Sequence, residues 1–246
     1  MRLELRNSLL ATAEAVKRAG WRILYVIVLE AFFFIFYGFV RAGLFTKLLE
    51  YLSALGISFI RTSNLASSGQ ILSLALVTIV SLFLIYCVFQ GTIWWLCHWL
   101  LKVKEDYSSY LLSFSRVSLW WGLLILIYNI ISLAVFIRST VSKQPESTAT
   151  IVLLNIFLAV IAYFAVISYS TRPHSIRKSV VIGVKDSIFI IPYFVIVAAV
   201  FAALYFALSA VQASYIASLI LQIVLVLPAL AVSRMYLISA LRRVEK

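Results

Sequence analysis

Few side chains in this sequence could do chemistry, and the most telling of them is Glu30. It lies in the middle of the apolar run WRILYVIVLEAFFFIFYGFV (21–40). An ionised carboxylate at such a depth in hydrocarbon costs about 2.5–3.5 kcal/mol on insertion scales. It must therefore face other helices, find a partner or hold a proton. Two roles follow: a proton or cation site near the midplane, or an interhelical hydrogen bond that holds a bundle together. Asn129, Asn155 and Gln222 are further polar groups inside apolar runs. With Glu30 they form the candidate intramembrane polar site. Ser168, Tyr25 and Tyr128 lie at comparable positions.

Other chemistries lack their residues. There is no P-loop, G-x-S-x-G, G-x-G-x-x-G or H-E-x-x-H pattern, so neither phosphate handling nor hydrolysis has a recognisable constellation. His98 and His174 stand alone, which argues against a metal site. Cys87 and Cys97 are ten residues apart, about 15 Å along one helix, too far for a disulfide. They read as buried thiols. Glu105 and Asp106 sit beside Lys102 and Lys104, a setting for local ion pairs. The expectation is a chain without catalysis, cofactor or metal.

The elements that position these residues follow from composition. Of 246 residues, 64% are hydrophobic and 12% charged, and the mean hydropathy is +1.06. A soluble domain carries about 25% charged residues. Lipid is the consistent solvent, and only helices and closed barrels satisfy their backbone there. The apolar runs are too long and too uniform for barrel strands. The sequence predicts an all-α polytopic bundle, one membrane domain over 1–246. Its six spans fall at about 21–40, 70–89, 120–137, 151–169, 188–208 and 215–238, each near the length a bilayer demands. The helical pattern of the second span extends toward Leu101. The first run is too long for the apolar core of a signal peptide and is expected to stay as a span. Pro192 and Pro228 interrupt the last two spans, as prolines do both at binding sites and in silent membrane helices.

Amphipathic stretches precede spans one, three and five. Leu5, Leu9, Ala13 and Val16 share one helical face; so do Tyr110, Phe114, Val117 and Trp121, and Ile176, Val180, Val184 and Ile188. Such helices lie in the interface with their bases toward headgroups. Lys17, Arg116 and Lys185 coincide under offsets of 99 and 168, and Trp21 matches Trp120 as Glu30 matches Asn129. This suggests three repeats of elbow helix, span and return span. Between spans one and two, Phe45, Leu48, Leu52, Leu55 and Phe59 keep a 3–4 spacing. The segment 41–69 is read as a helix lying on the outer surface or dipping back. Residues 61–70, 138–150 and 211–214 are read as loops, and Thr171–His174 as a turn at Pro173.

The net charge of +12 comes without any nucleic-acid motif. Placing the N-terminus in the cytoplasm puts sixteen of the 21 Lys and Arg inside and five outside, as the positive-inside rule requires. The six tryptophans fall at inner ends of spans, where an indole N–H meets headgroups. The reading is a plasma-membrane protein with both termini cytoplasmic. Lys17, Arg18, Arg116, Arg177, Lys178 and Lys185 would contact anionic headgroups. The partners expected are the bilayer, and a protein partner or further copies of the chain, with no nucleic acid.

The run FQGTIWW (Phe89 to Trp95), followed by a tyrosine-rich elbow and a new span, resembles uncharacterised multi-pass membrane proteins of archaeal genomes. That resemblance implies a six-helix plan and a membrane location. Function is then expected to be that of a structural or assembly subunit, the alternative being a small-solute or ion permease built around Glu30.

Overall fold

The computed structural model describes residues 2–58, 65–103, 105–142, 147–171, 176–210 and 215–244. The loop around Pro145, the turn at Pro173 and His174, the hairpin at 211–214 and residues 61–64 lie outside them, whereas 65–70, 138–142 and 148–150, expected as loop, are helical, because none of these stretches contains a proline to stop the adjoining helix. The described residues form eight α-helices: α1 (Arg2–Ala19), α2 (Ile23–Ser58), α3 (Leu65–Leu100), α4 (Tyr107–Ser142), α5 (Thr148–Ser170), α6 (Ile176–Lys185), α7 (Ser187–Ala210) and α8 (Tyr215–Val244). No strand occurs among them. Six helices, α2, α3, α4, α5, α7 and α8, contain stretches long and apolar enough to cross a membrane. The protein is a multi-pass, all-α membrane bundle.

Helix lengths exceed the spans. α2, α3 and α4 each run 36 residues, about 54 Å, against a hydrocarbon layer of about 30 Å. Residues 41–58 continue α2 without a break, so this part of the 41–69 segment neither turns along the surface nor re-enters. The reason is local: the segment has no proline, and isolated glycines such as Gly43 weaken a helix without ending it. At the other end of the chain α1 does break from α2, through a 3₁₀ turn at Gly20–Arg22. Gly20 takes φ +51° there, a left-handed backbone that glycine adopts without penalty.

Three amphipathic stretches precede α2, the span of α4, and α7, and each meets the bundle differently. In α4 the stretch is the first turns of the span helix itself, and Tyr110, Phe114, Val117 and Trp121 are all buried. In α1 the buried face is Thr12, Ala15 and Ala19, while Leu9 and Ala13 are exposed, which leaves an apolar stripe for lipid. In α6, Ile176 and Val180 pack on the core, while Val184 and, at the start of α7, Ile188 face outward. Gly183 of α6 sits so close to α5 that an added Cβ would lie 2.7 Å from Phe164 Cε1 and 2.9 Å from Ile167 Cδ1.

Among the described side chains, burial gathers at one end of the bundle. The buried positions lie within 26–33 of α2, 87–98 of α3, 110–121 of α4, 161–170 of α5, 190–193 of α7 and 227–241 of α8, with Val103, Thr171 and parts of α1 and α6 beside them. This end also carries most of the described Lys and Arg, and is called the basic end below. At the opposite, far end the helices expose Phe34, Ile35, Phe39, Leu153, Tyr205 and Phe206. The accessible surface is 16160 Å², against about 11,000 Å² expected of a compact soluble protein of this mass. Such apolar exposure is stable only in lipid.

α8 is the post around which the basic end is built. Met235, Tyr236, Leu237 and Ile238 are all buried. Four consecutive positions cover every side of a helix, so neighbours enclose α8 completely at this level. It touches α1, α2, α3, α5 and α7.

Candidate functional site

Glu30 is completely buried on α2, two turns inside the enclosed end. Its partner comes from α8. Arg234 Nη2 lies 2.6 Å from Glu30 Oε1, and the Arg234 side chain is itself only 13% exposed. Gln90 of α3 completes a ring: its Nε2 donates to Glu30 Oε2 at 3.3 Å, and its Oε1 accepts from Arg234 Nη2 at 2.8 Å. The Arg234 guanidinium carbon also stands 5.2 Å from the centre of the Trp94 ring, a cation–π geometry. The arrangement joins three helices through one compensated charge pair.

This geometry answers an electrostatic demand. Moving two ions out of water costs several kcal/mol each, and only close approach with further hydrogen bonds offsets it. A glutamine can donate to the carboxylate and accept from the guanidinium at once, which is what Gln90 does. Val26, Ile93, Cys97 and Ala231 are buried around the group.

A second set of polar bonds lies nearby and ties α3, α4 and α5. His98 Nε2 stands 3.2 Å from the Tyr169 carbonyl oxygen. Ser118 Oγ donates to Tyr169 Oη at 3.3 Å, and Trp121 Nε1 to Ser168 Oγ at 3.2 Å. Phe114 and Tyr169 rings pack at 4.7 Å. Between α1 and α8, the Thr12 and Ser239 hydroxyls meet at 2.8 Å. Arg242 Nη1 donates to the Leu101 carbonyl at the end of α3, where a cation suits both the free carbonyls and the helix dipole.

The other intramembrane polar residues do not join Glu30. Asn129 is exposed and donates its Nδ2 to the Ile125 carbonyl of its own helix at 2.7 Å. Asn155 is exposed on α5. Gln222 belongs to α8, and its side chain lies outside the described residues. Ser168 is buried, but in the α4–α5 bonds. Lys17, Arg18, Arg116, Arg177, Lys178 and Lys185 are exposed at the basic end. Cys87 and Cys97 are free and buried.

Arg234 was legible only as a topology signal. The stronger clue was arithmetic of charge: α2 and α8 each carry an ionisable residue within an apolar window, of opposite sign, and a bundle that buries one must offer it the other.

Among the cavities bordered by described residues, three are set apart by their lining. One of about 320 Å³ is lined by Trp120, Trp121, Phe157 and Phe164. Another of about 490 Å³ lies between α5 and the α6–α7 junction, lined by Tyr163, Gly183 and Ile191. The largest, about 940 Å³, lies between α2, α7 and α8 toward the far end. None of the three is lined by Glu30, Gln90 or Arg234. No protein-family model, curated protein or solved structure matches this chain.

Proposed function

We propose that this multi-pass protein is a non-catalytic structural or interaction subunit of the cell membrane, with the basic end and both termini in the cytoplasm. The observation that carries the reading is the closed Glu30–Gln90–Arg234 ring. A transport site needs a carboxylate that can exchange partners and meet a solute. Here Oε1 lies against the Arg234 guanidinium and Oε2 accepts from Gln90, and none of the three cavities is lined by them. The charge pair therefore serves as a clasp for α2, α3 and α8. The exposed Lys17, Arg18, Arg116, Arg177, Lys178 and Lys185 supply a cationic rim suited to anionic headgroups. The assembly role is supported by the apolar faces that Phe34, Ile35, Phe39, Leu153, Tyr205 and Phe206 expose toward the far end, which partners or lipid must cover.

Proton and cation flux into proteoliposomes tests the non-transport claim. The purified chain is expected to match empty vesicles under an imposed gradient. Flux that Glu30→Gln abolishes, with the variant still folded, would overturn it. Cross-linking in native membranes tests assembly: recovery of a stoichiometric complex is expected, and a strictly solitary chain contradicts the subunit reading.

A further inference from the structure

The far end holds a second feature, separate from the clasp. There α2 and α7 part on either side of α8, leaving the groove of about 940 Å³. Phe34 and Ile35 wall it on α2, Leu204 and Leu208 on α7, and Ile223 and Val226 floor it on α8. It opens sideways into the bilayer, where apolar space does not stay empty.

Its mouth changes character. Tyr205 and Ser209 line the groove near the end of α7. On α2, Phe34, Gly38 and Arg41 follow each other at helical spacings of four and three, so they share a face. A Cβ on Gly38 would meet nothing within 4 Å, so no side chain interrupts that face between the groove and Arg41. Arg41 lies 18 residues along α2 from Ile23, about 27 Å, and Ser209 lies 22 residues along α7 from Ser187, about 33 Å. Both therefore reach roughly one hydrocarbon thickness from the basic end, at the level of the far headgroups. Arg41 is exposed and forms no ion pair with an acid among the described residues.

We propose that this groove is a fixed phospholipid site, with acyl chain against Phe34, Leu204 and Ile223 and phosphate at Arg41, the Tyr205 hydroxyl offering a second donor. Charge selects lipid over a second copy of the chain. Among the described residues the far end carries Arg41, Lys47 and Arg138 against Glu50. A second copy docked there would set cations against cations, whereas a lipid phosphate brings the missing anion on a molecule that is apolar where the groove is apolar.

Native mass spectrometry tests this, with the full chain in detergent micelles containing phosphatidylglycerol or a diacylglycerol of the same chains. The wild type is expected to keep one phosphatidylglycerol after the detergent is stripped, roughly tenfold above diacylglycerol, the scale of one charge-assisted hydrogen bond. Leu204→Trp, which fills the groove, should lose both lipids. Arg41→Gln, at an exposed position that leaves the core untouched, should lose only the preference, and Arg41→Lys should keep most of it. Equal retention of the two lipids by the wild type overturns the proposal, as does unchanged retention in both Leu204→Trp and Arg41→Gln. A lipid-free dimer would overturn it in favour of a second copy in the groove.

Discussion

Arg234 on α8 and Glu30 on α2 meet at 2.6 Å across the enclosed end of the bundle, although 204 positions separate them in the chain. The pair draws two helices from opposite ends of the sequence onto a third, α3, through Gln90. Hydrophobic burial distinguishes poorly between helix rotations when lipid is as apolar as the core. A charge pair does distinguish them, because every other rotation leaves an ion in hydrocarbon.

Removing one partner should therefore be costly. Glu30→Gln and Arg234→Met each leave an uncompensated polar or charged group, and each is expected to destabilise the protein by about 3–5 kcal/mol. Denaturant titration in mixed micelles measures it. Losses below about 1 kcal/mol for both would mean that the pair is immaterial to the fold.

Gly183 allows α6 to lie against α5, and Tyr163 Oη donates to the Gly183 carbonyl at 2.9 Å. Gly183→Leu should cost about 1–3 kcal/mol by overpacking and loosen α6 first. Protease susceptibility near Lys178 and Lys185 reports this. Unchanged protection would show that α6 docks without close approach.

Lys102 ends α3 in a left-handed conformation, φ 60°. Val103 N–H bonds the His98 carbonyl at 3.0 Å and Lys102 N–H the Trp99 carbonyl at 2.9 Å, the paired bonds of a Schellman cap that ordinarily uses glycine. Lys102→Gly should relieve the side-chain clash and stabilise by about 1 kcal/mol, read as a higher denaturation midpoint. A lower midpoint would mean that the lysine side chain outweighs its backbone strain.

Asp106 caps α4. Its carboxylate accepts from the Ser108 hydroxyl and from the Ser109 N–H at 3.1 Å. These bonds hold its pKa below the ordinary 3.8, the serine hydroxyl acting most strongly. A depressed carboxyl contributes stability above its unfolded value and loses it as pH falls through the folded one. Hydrogen exchange at Ser109, corrected for intrinsic rates, should thus accelerate only below about pH 4. In Asp106→Asn, which keeps the cap without its charge, that acid step should vanish. If it persists, another group is titrating.

The spans were legible because lipid imposes a minimum length of apolar helix, and runs such as 151–169 and 188–208 meet it openly. Cys87, Gly91, Trp94 and His98 follow one another on α3 at spacings of four, three and four, which places them on one face, and all four are buried. Glu30 stood out because an acid at midspan is expensive. Its partners did not, for a physical reason: spacing gives depth along a helix but not the direction a side chain faces. Asn129 matches Glu30 in depth under the 99-residue offset, yet lies on the exposed side of α4. Asn155 is exposed for the same reason. Arg234 counted among the topology-setting bases, whereas a charge balance within the spans would have paired it with Glu30. The run 41–58 looked too interrupted to prolong a span, but Lys47 and Glu50 are compatible with a helix that has already left the hydrocarbon.

The central claim is that Glu30 and Arg234 act as a structural clasp. The most direct measurement is the unfolding free energy of Glu30→Leu, Arg234→Met and the two combined. A clasp predicts that the double variant loses markedly less than the two single losses added together, since no ion is then left unpaired and only the buried Gln90 amide, 5% exposed, lacks its partners. A double variant whose loss equals the sum of the two single losses would show that the residues act independently and would contradict the account.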